Sequence, residues 1–111
     1  MNNWKKITQE SDVQNIIEKS VSTPQIIYKH SVTCGISAHA EDKLTDGSHL
    51  LTENAYLNYL DLLRFRSISN LIVQQLKVTH QSPQIIVLKD KKVVHTTSHY
   101  STEPAAIAKY L

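Results

Sequence analysis

The stretch Gln25–Ser37, QIIYKHSVTCGIS, decides how this chain is read. It begins as a short run of β-favouring residues, Ile26, Ile27 and Tyr28, bounded by Pro24 on one side and the polar turn Ser31–Thr33 on the other. Such a run predicts a buried strand over Gln25–His30. The turn then delivers the only cysteine, Cys34, to a segment that begins with Gly35 and has apolar residues four apart at Ile36, Ala40 and Leu44. That spacing predicts a helix over Gly35–Asp46, stopped at Gly47.

Working outward, Trp4–Ile7 fits a short edge strand. Ser11–Ser20 fits a helix, with Val13, Ile16, Ile17 and then Val21 near one face, and Ser11 with Gln14 in the form of a capping box. After Gly47 comes a polar loop, then a strand over Ala55–Leu62. A helix over Arg64–Leu76 follows, carrying Phe65, Ile68, Leu71, Ile72 and Leu76 on one face. His80–Pro83 reads as a turn. Gln84–Lys89 and Lys92–Thr97 read as a hairpin joined tightly at Asp90-Lys91. Thr102 fits the cap of a last helix, with Pro104 in its first turn and Ile107 and Leu111 facing inward. The order predicts an α/β fold, a central mixed β-sheet of four to five strands flanked by helices on both faces.

Composition bounds the possibilities. A chain of 111 residues without a Gly/Ser-rich or Pro-rich linker fits one domain, residues 1–111. A net charge of +2 is too small to argue for nucleic acid. No apolar run approaches the roughly 18–20 residues of a membrane span, and the N-terminus lacks the apolar core of a signal peptide, so a cytoplasmic protein without membrane contact is expected. One cysteine excludes an internal disulfide. The histidines show no metal-site spacing and one thiol cannot complete a thiolate-rich zinc site, so no metal is expected.

In open α/β sheets, sites sit at the carboxyl ends of strands, where the next helix presents its N-terminus. Cys34 occupies such a place. Free backbone N–H groups and the helix dipole favour its thiolate over an ordinary cysteine with a pKa of about 8.5. Lys29 and His30 are candidates to add positive charge. Thr33 and Ser37 are candidates to donate hydroxyl hydrogen bonds to the sulfur, and His30 and His99 are candidate proton donors. The spacing Cys34-Gly35-Ile36-Ser37 is C-x-x-S. Such a site can attack a disulfide, but serine cannot expel the mixed disulfide, which an external thiol must resolve.

YKHSVTCGIS at 28–37, YLDLLRFRSISN at 59–70, HQSPQ at 80–84 and Ser98-His99 together resemble the YtxJ family, the monothiol bacilliredoxins, over nearly the whole chain. That family typically shows T-C-P-I-S, and Gly35 stands here where proline is usual. The resemblance implies a thioredoxin-like fold with no bound cofactor. It also implies a monothiol oxidoreductase that uses bacillithiol as co-substrate and serves S-bacillithiolated client proteins. It assigns Cys34 as the nucleophile, Pro83 as the cis-proline beside the sulfur, and Ser82 as the residue whose backbone faces substrate. A different class of function stays open at this point, a thioredoxin-fold adaptor in which Cys34 is a passive or sensing thiol.

Overall fold

The computed structural model describes residues 4–30, 41–42, 44–52, 55–98 and 104–111. In chain order the elements are β1 (Lys5–Lys6), α1 (Glu10–Lys19), β2 (Gln25–His30), helical residues 41–42 and 44–46, α2 (His49–Thr52) and β3 (Tyr56–Asp61). They continue with α3 (Arg66–Leu76), β4 (Gln84–Lys89), β5 (Lys92–Ser98) and α4 (Pro104–Ala108). One five-stranded sheet runs β1-β3-β2-β4-β5. β2 is parallel to β3, which is parallel to β1, whereas β4 runs antiparallel to β2 and to β5. The expected mixed sheet is therefore present with its upper number of strands.

The central strands owe their apolar character to cover on both faces. Every residue of β2 is buried. Alternation sends Ile26 and Tyr28 to one side and Ile27 to the other. On the first side they pack with Trp4, Leu44, Leu51, Leu57, Ile85, Val87 and Ile107. On the second, Ile27 packs with Val13 and Ile16 of α1, Ile68 and Ile72 of α3, and Leu60, Ile86 and Leu88. Edge strand β5 alternates between exposed and half-buried residues instead, as a strand with one covered face does.

Several boundaries differ from the sequence expectation for local reasons. Helix α1 begins at Glu10, because the Asp12 carboxylate accepts the Thr8 and Gln9 N–H groups at 3.0 and 3.1 Å, and the Ser11/Gln14 box is not the one used. Val21 lies beyond the helix end and is exposed. The expected loop after Gly47 contains α2, which places Leu51 in the core. Helix α3 starts at Arg66 because the Phe65 N–H still donates to the Asp61 carbonyl, across the turn 62–64. Tyr56, in the expected strand Ala55–Leu62, is exposed at the start of β3. Thr102 and residues 35–40 of the expected helix lie outside the described residues.

The hairpin joins as expected at Asp90 and Lys91, both at positive φ, 54° and 65°. Their backbone N–H groups donate to the Ser20 carbonyl and Oγ, each at 2.8 Å, so the turn is tied to the end of α1.

Candidate functional site

Strands β2 and β3 end side by side, with His30 opposite Asp61. The chain leaves His30 for the segment that carries Cys34. Thr33, Cys34, Gly35, Ser37 and His99 lie outside the described residues, whereas Lys29, His30, Ser82 and Pro83 lie within them.

His30 is buried on the Trp4–Tyr28 face of the sheet. Its Nε2 lies 3.2 Å from a Glu41 carboxylate oxygen, and its Nδ1 lies 2.7 Å from the Tyr28 hydroxyl. A neutral imidazole satisfies both when Nε2–H donates to Glu41 and Tyr28 O–H donates to Nδ1. Burial lowers the His30 pKa, outweighing Glu41 and Asp61, which raise it, so this neutral form is the favoured one. Around it stand aromatic rings. The Tyr59 centroid is 5.6 Å from His30 and 5.9 Å from Tyr28, and Trp4 is 5.9 Å from Tyr28. Glu41 is in the helical stretch that follows Cys34, so the pair joins the strand before the cysteine to the helix after it.

Lys29 faces the other way. Strand alternation puts it on the Ile27 side, fully buried, with Nζ 2.8 Å from His80 Nδ1. Burial pushes its pKa down to about 8. The ammonium donates to a neutral His80, whose own pKa is lowered by burial, by Lys29 and by Arg66. Lys29 and His30, adjacent in sequence, are thus on opposite faces, and the lysine is engaged by His80.

The Ser82-Pro83 peptide bond is cis. Pro83 immediately precedes Gln84, which pairs with Lys29 in the β2–β4 ladder, so the proline adjoins the carboxyl end of β2. The Gln84 side chain straps this loop: Nε2 donates to the Thr79 carbonyl at 2.9 Å, and Oε1 accepts from the Gln81 N–H at 3.4 Å. The Ser82 Oγ is buried and has no hydrogen-bond partner among the described residues.

The structure therefore brings His30, Lys29, Ser82 and Pro83 to one end of the sheet. Tyr28, Glu41 and Tyr59 contact His30, His80 contacts Lys29, and none of the four was singled out as a site residue from sequence. Tyr28 and His30 stand two apart on a strand, a spacing that places both on one face. No local signal marks Glu41 or His80, which reach the site from other segments.

A five-stranded mixed sheet with helices on both faces and a cis-proline beside the end of a central strand defines a thioredoxin-like protein. Solved structures share the fold. One with a thioredoxin fold superposes with a TM-score of 0.84 at 25% identity, covering 98% of this chain and 94% of the other. Thioredoxin from Trypanosoma brucei brucei does so at 0.72 and 15% identity, covering 96% and 86%. Mitochondrial thioredoxin 3 from Saccharomyces cerevisiae does so at 0.70 and 18%, covering 97% and 92%. Residues 5–107 match the family model of the monothiol bacilliredoxin BrxC, and the chain belongs to that family. Family and fold together mark a redox oxidoreductase of the thioredoxin type.

Proposed function

We infer that this protein is a monothiol thiol–disulfide oxidoreductase that removes bacillithiol from S-bacillithiolated proteins. The observation that carries the reading is a bacilliredoxin family match over residues 5–107 in a chain whose sole cysteine is Cys34. With no second cysteine, any disulfide that Cys34 forms must be resolved by a thiol from outside.

In the first step the Cys34 thiolate attacks the bacillithiol sulfur of the client's mixed disulfide. The Cys34–bacillithiol S–S bond forms, the client S–S bond breaks, and the client leaves as a thiolate that takes a proton from solvent. In the second, a bacillithiol thiolate attacks the bacillithiol sulfur held on Cys34. Bacillithiol disulfide leaves and the Cys34 thiolate is restored. One client disulfide is reduced and two bacillithiol units end as one disulfide.

The roles of the surrounding residues belong to the same proposal. Thr33 and Ser37 donate hydroxyl hydrogen bonds to the thiolate, and Gly35 leaves backbone N–H groups accessible to it. The backbone at Ser82, beside Pro83, receives the extended client segment. His30 keeps its N–H on Glu41 and takes no part in proton transfer, and His99 is a second source, beside solvent, of the proton that the departing client thiolate takes up. Lys29, turned toward His80, acts on the thiolate only as a buried positive charge at a distance. The reaction suits the cytoplasm, where thiols are kept reduced.

The test is release of bacillithiol from a labelled client, with and without Cys34→Ser, together with the pH dependence of Cys34 alkylation. Loss of release in the variant and an alkylation pKa below about 8.5 support the reading. Unchanged release, or an alkylation pKa at or above that of a free thiol, favours the adaptor.

A further inference from the structure

At the carboxyl end of the sheet, between β1 and the turn after β3, lies a cleft of about 480 Å³ that the disulfide chemistry leaves unused. Its walls include Lys6, Thr8, Tyr59, Asp61, Arg64 and Phe65. Lys6 pairs with Tyr59 across the β1–β3 ladder, and the Arg64 guanidinium lies over the Phe65 ring, 5.4 Å from its centroid. A guanidinium held over a ring still presents N–H donors, and a carboxylate is the planar anion that matches their fork. Burial, with Glu41 and Asp61, pushes the Tyr59 phenol up to about 12, so it stays protonated as a hydrogen-bond donor. Among the described residues Asp61 is the one acid lining the cleft, its carboxylate accepting the Arg64 backbone N–H at 3.4 Å, and Glu41 is the second acid whose charge reaches Tyr59.

Covalent connectivity limits how far the cysteine can lie from the cleft. The Tyr59 ring that lines it is 5.6 Å from the His30 ring, and Cys34 follows His30 by four residues, a span of at most about 14 Å of chain. A thiol built from a cysteinyl, a sugar and a dicarboxylate unit carries its carboxylates away from its sulfur, as a subsite apart from the cysteine requires.

We propose that this cleft is the subsite for the dicarboxylate end of the thiol co-substrate, with Arg64 and Lys6 holding the carboxylates and Tyr59 donating to one of them. The proposal rests on the bacillithiol reading for the ligand's identity. Specificity for the resolving thiol then resides away from the sulfur, in two cations that a neutral or shorter thiol does not engage.

Two measurements separate this subsite from the reading beneath it. The first titrates glucosaminyl malate, which has no sulfur, into the wild-type protein and follows amide shifts by NMR. Saturable shifts at Lys6, Tyr59 and Arg64 support the subsite whatever Cys34 does, and their absence overturns it. The second compares the KM for bacillithiol in the resolving step with that for its malate-free analogue. Arg64→Gln is expected to raise the KM for bacillithiol by roughly tenfold and so erase the preference over the analogue. Asp61→Asn, which removes the opposing charge, should lower it two- to threefold, a factor of about 2–3. An unchanged preference in Arg64→Gln, or an equal loss with both thiols, overturns the subsite. A wild-type protein that binds glucosaminyl malate but turns over neither thiol overturns the oxidoreductase reading and leaves the subsite standing.

Discussion

His30 Nε2 and the Glu41 carboxylate meet at 3.2 Å, so the end of β2 and the helix beyond Cys34 are held together at the sheet's carboxyl edge. Tyr28 supports this pair from beneath by occupying the other imidazole nitrogen. Tyr28→Phe keeps the ring and its packing but leaves Nδ1 of a buried imidazole without that donor. The cost is expected to be about 1–3 kcal/mol, read as a lower urea midpoint with an unchanged slope. A midpoint equal to wild type would show that the hydroxyl contributes nothing net.

Acid should weaken the fold through its histidines. His30, His80 and His95 all have pKa values below the ordinary 6.5. Above about 6.5 each is neutral in both folded and unfolded chains, and the full stability is present. As pH falls through that value the unfolded chain takes up protons first, and stability is lost. Urea midpoints measured from pH 7.5 down to 5 are therefore expected to fall, and His30→Gln should flatten part of the decline. A midpoint that rises toward pH 5 would contradict this.

Lys29 makes the opposite end of the pH range informative. Its folded pKa of about 8 lies below the unfolded value of 10.5, so the unfolded chain holds the extra proton between the two. Stability should rise as pH climbs from 8 toward 10, where Tyr59 has yet to contribute. Lys29→Met removes that rise and, by replacing a buried ammonium with an apolar chain, should stabilise the protein at pH 7 by roughly 1–2 kcal/mol. Thermal unfolding of both proteins at pH 7 and 9.5 tests it. A destabilised methionine variant would mean that the bond to His80 outweighs the cost of burying the charge.

The hairpin turn offers a test free of the site. Lys91 adopts φ 65° without the glycine that a tight turn of this kind prefers. Lys91→Gly keeps the N–H that donates to Ser20 Oγ and relieves the Cβ, which should stabilise by about 0.5–1 kcal/mol. Lys91→Pro, which lacks the N–H and cannot reach positive φ, should do the reverse. Differential scanning calorimetry distinguishes the two.

How much of this was legible in the residues depends on the range of the forces involved. Strand β2 was readable to its ends at Gln25 and His30, because a short β-favouring run between a proline and a polar turn has few alternatives. The hairpin was readable at Asp90-Lys91 for the same local reason, and a lone cysteine with serine three residues on already implied an external resolving thiol. Helix α2 was missed because a single turn has no periodicity to show, and only the burial of Leu51 gives it a reason. The exposure of Tyr56 at the start of β3 was equally invisible, because a strand's pattern does not tell which of its ends the neighbours cover.

The sequence by itself determined the α/β class, the order of the strands along the chain, and the monothiol character of any chemistry at Cys34. Local propensity and covalent composition suffice for these. Only the tertiary structure decided that Lys29 and His30 face opposite ways, that Glu41 and His80 rather than solvent receive them, and that Lys6 and Arg64 share a cleft with Tyr59. Those relations join segments far apart in the chain, Lys29 to His80 across 51 residues and Lys6 to Arg64 across 58, and they exist only once hydrophobic burial has closed the sheet between its helices.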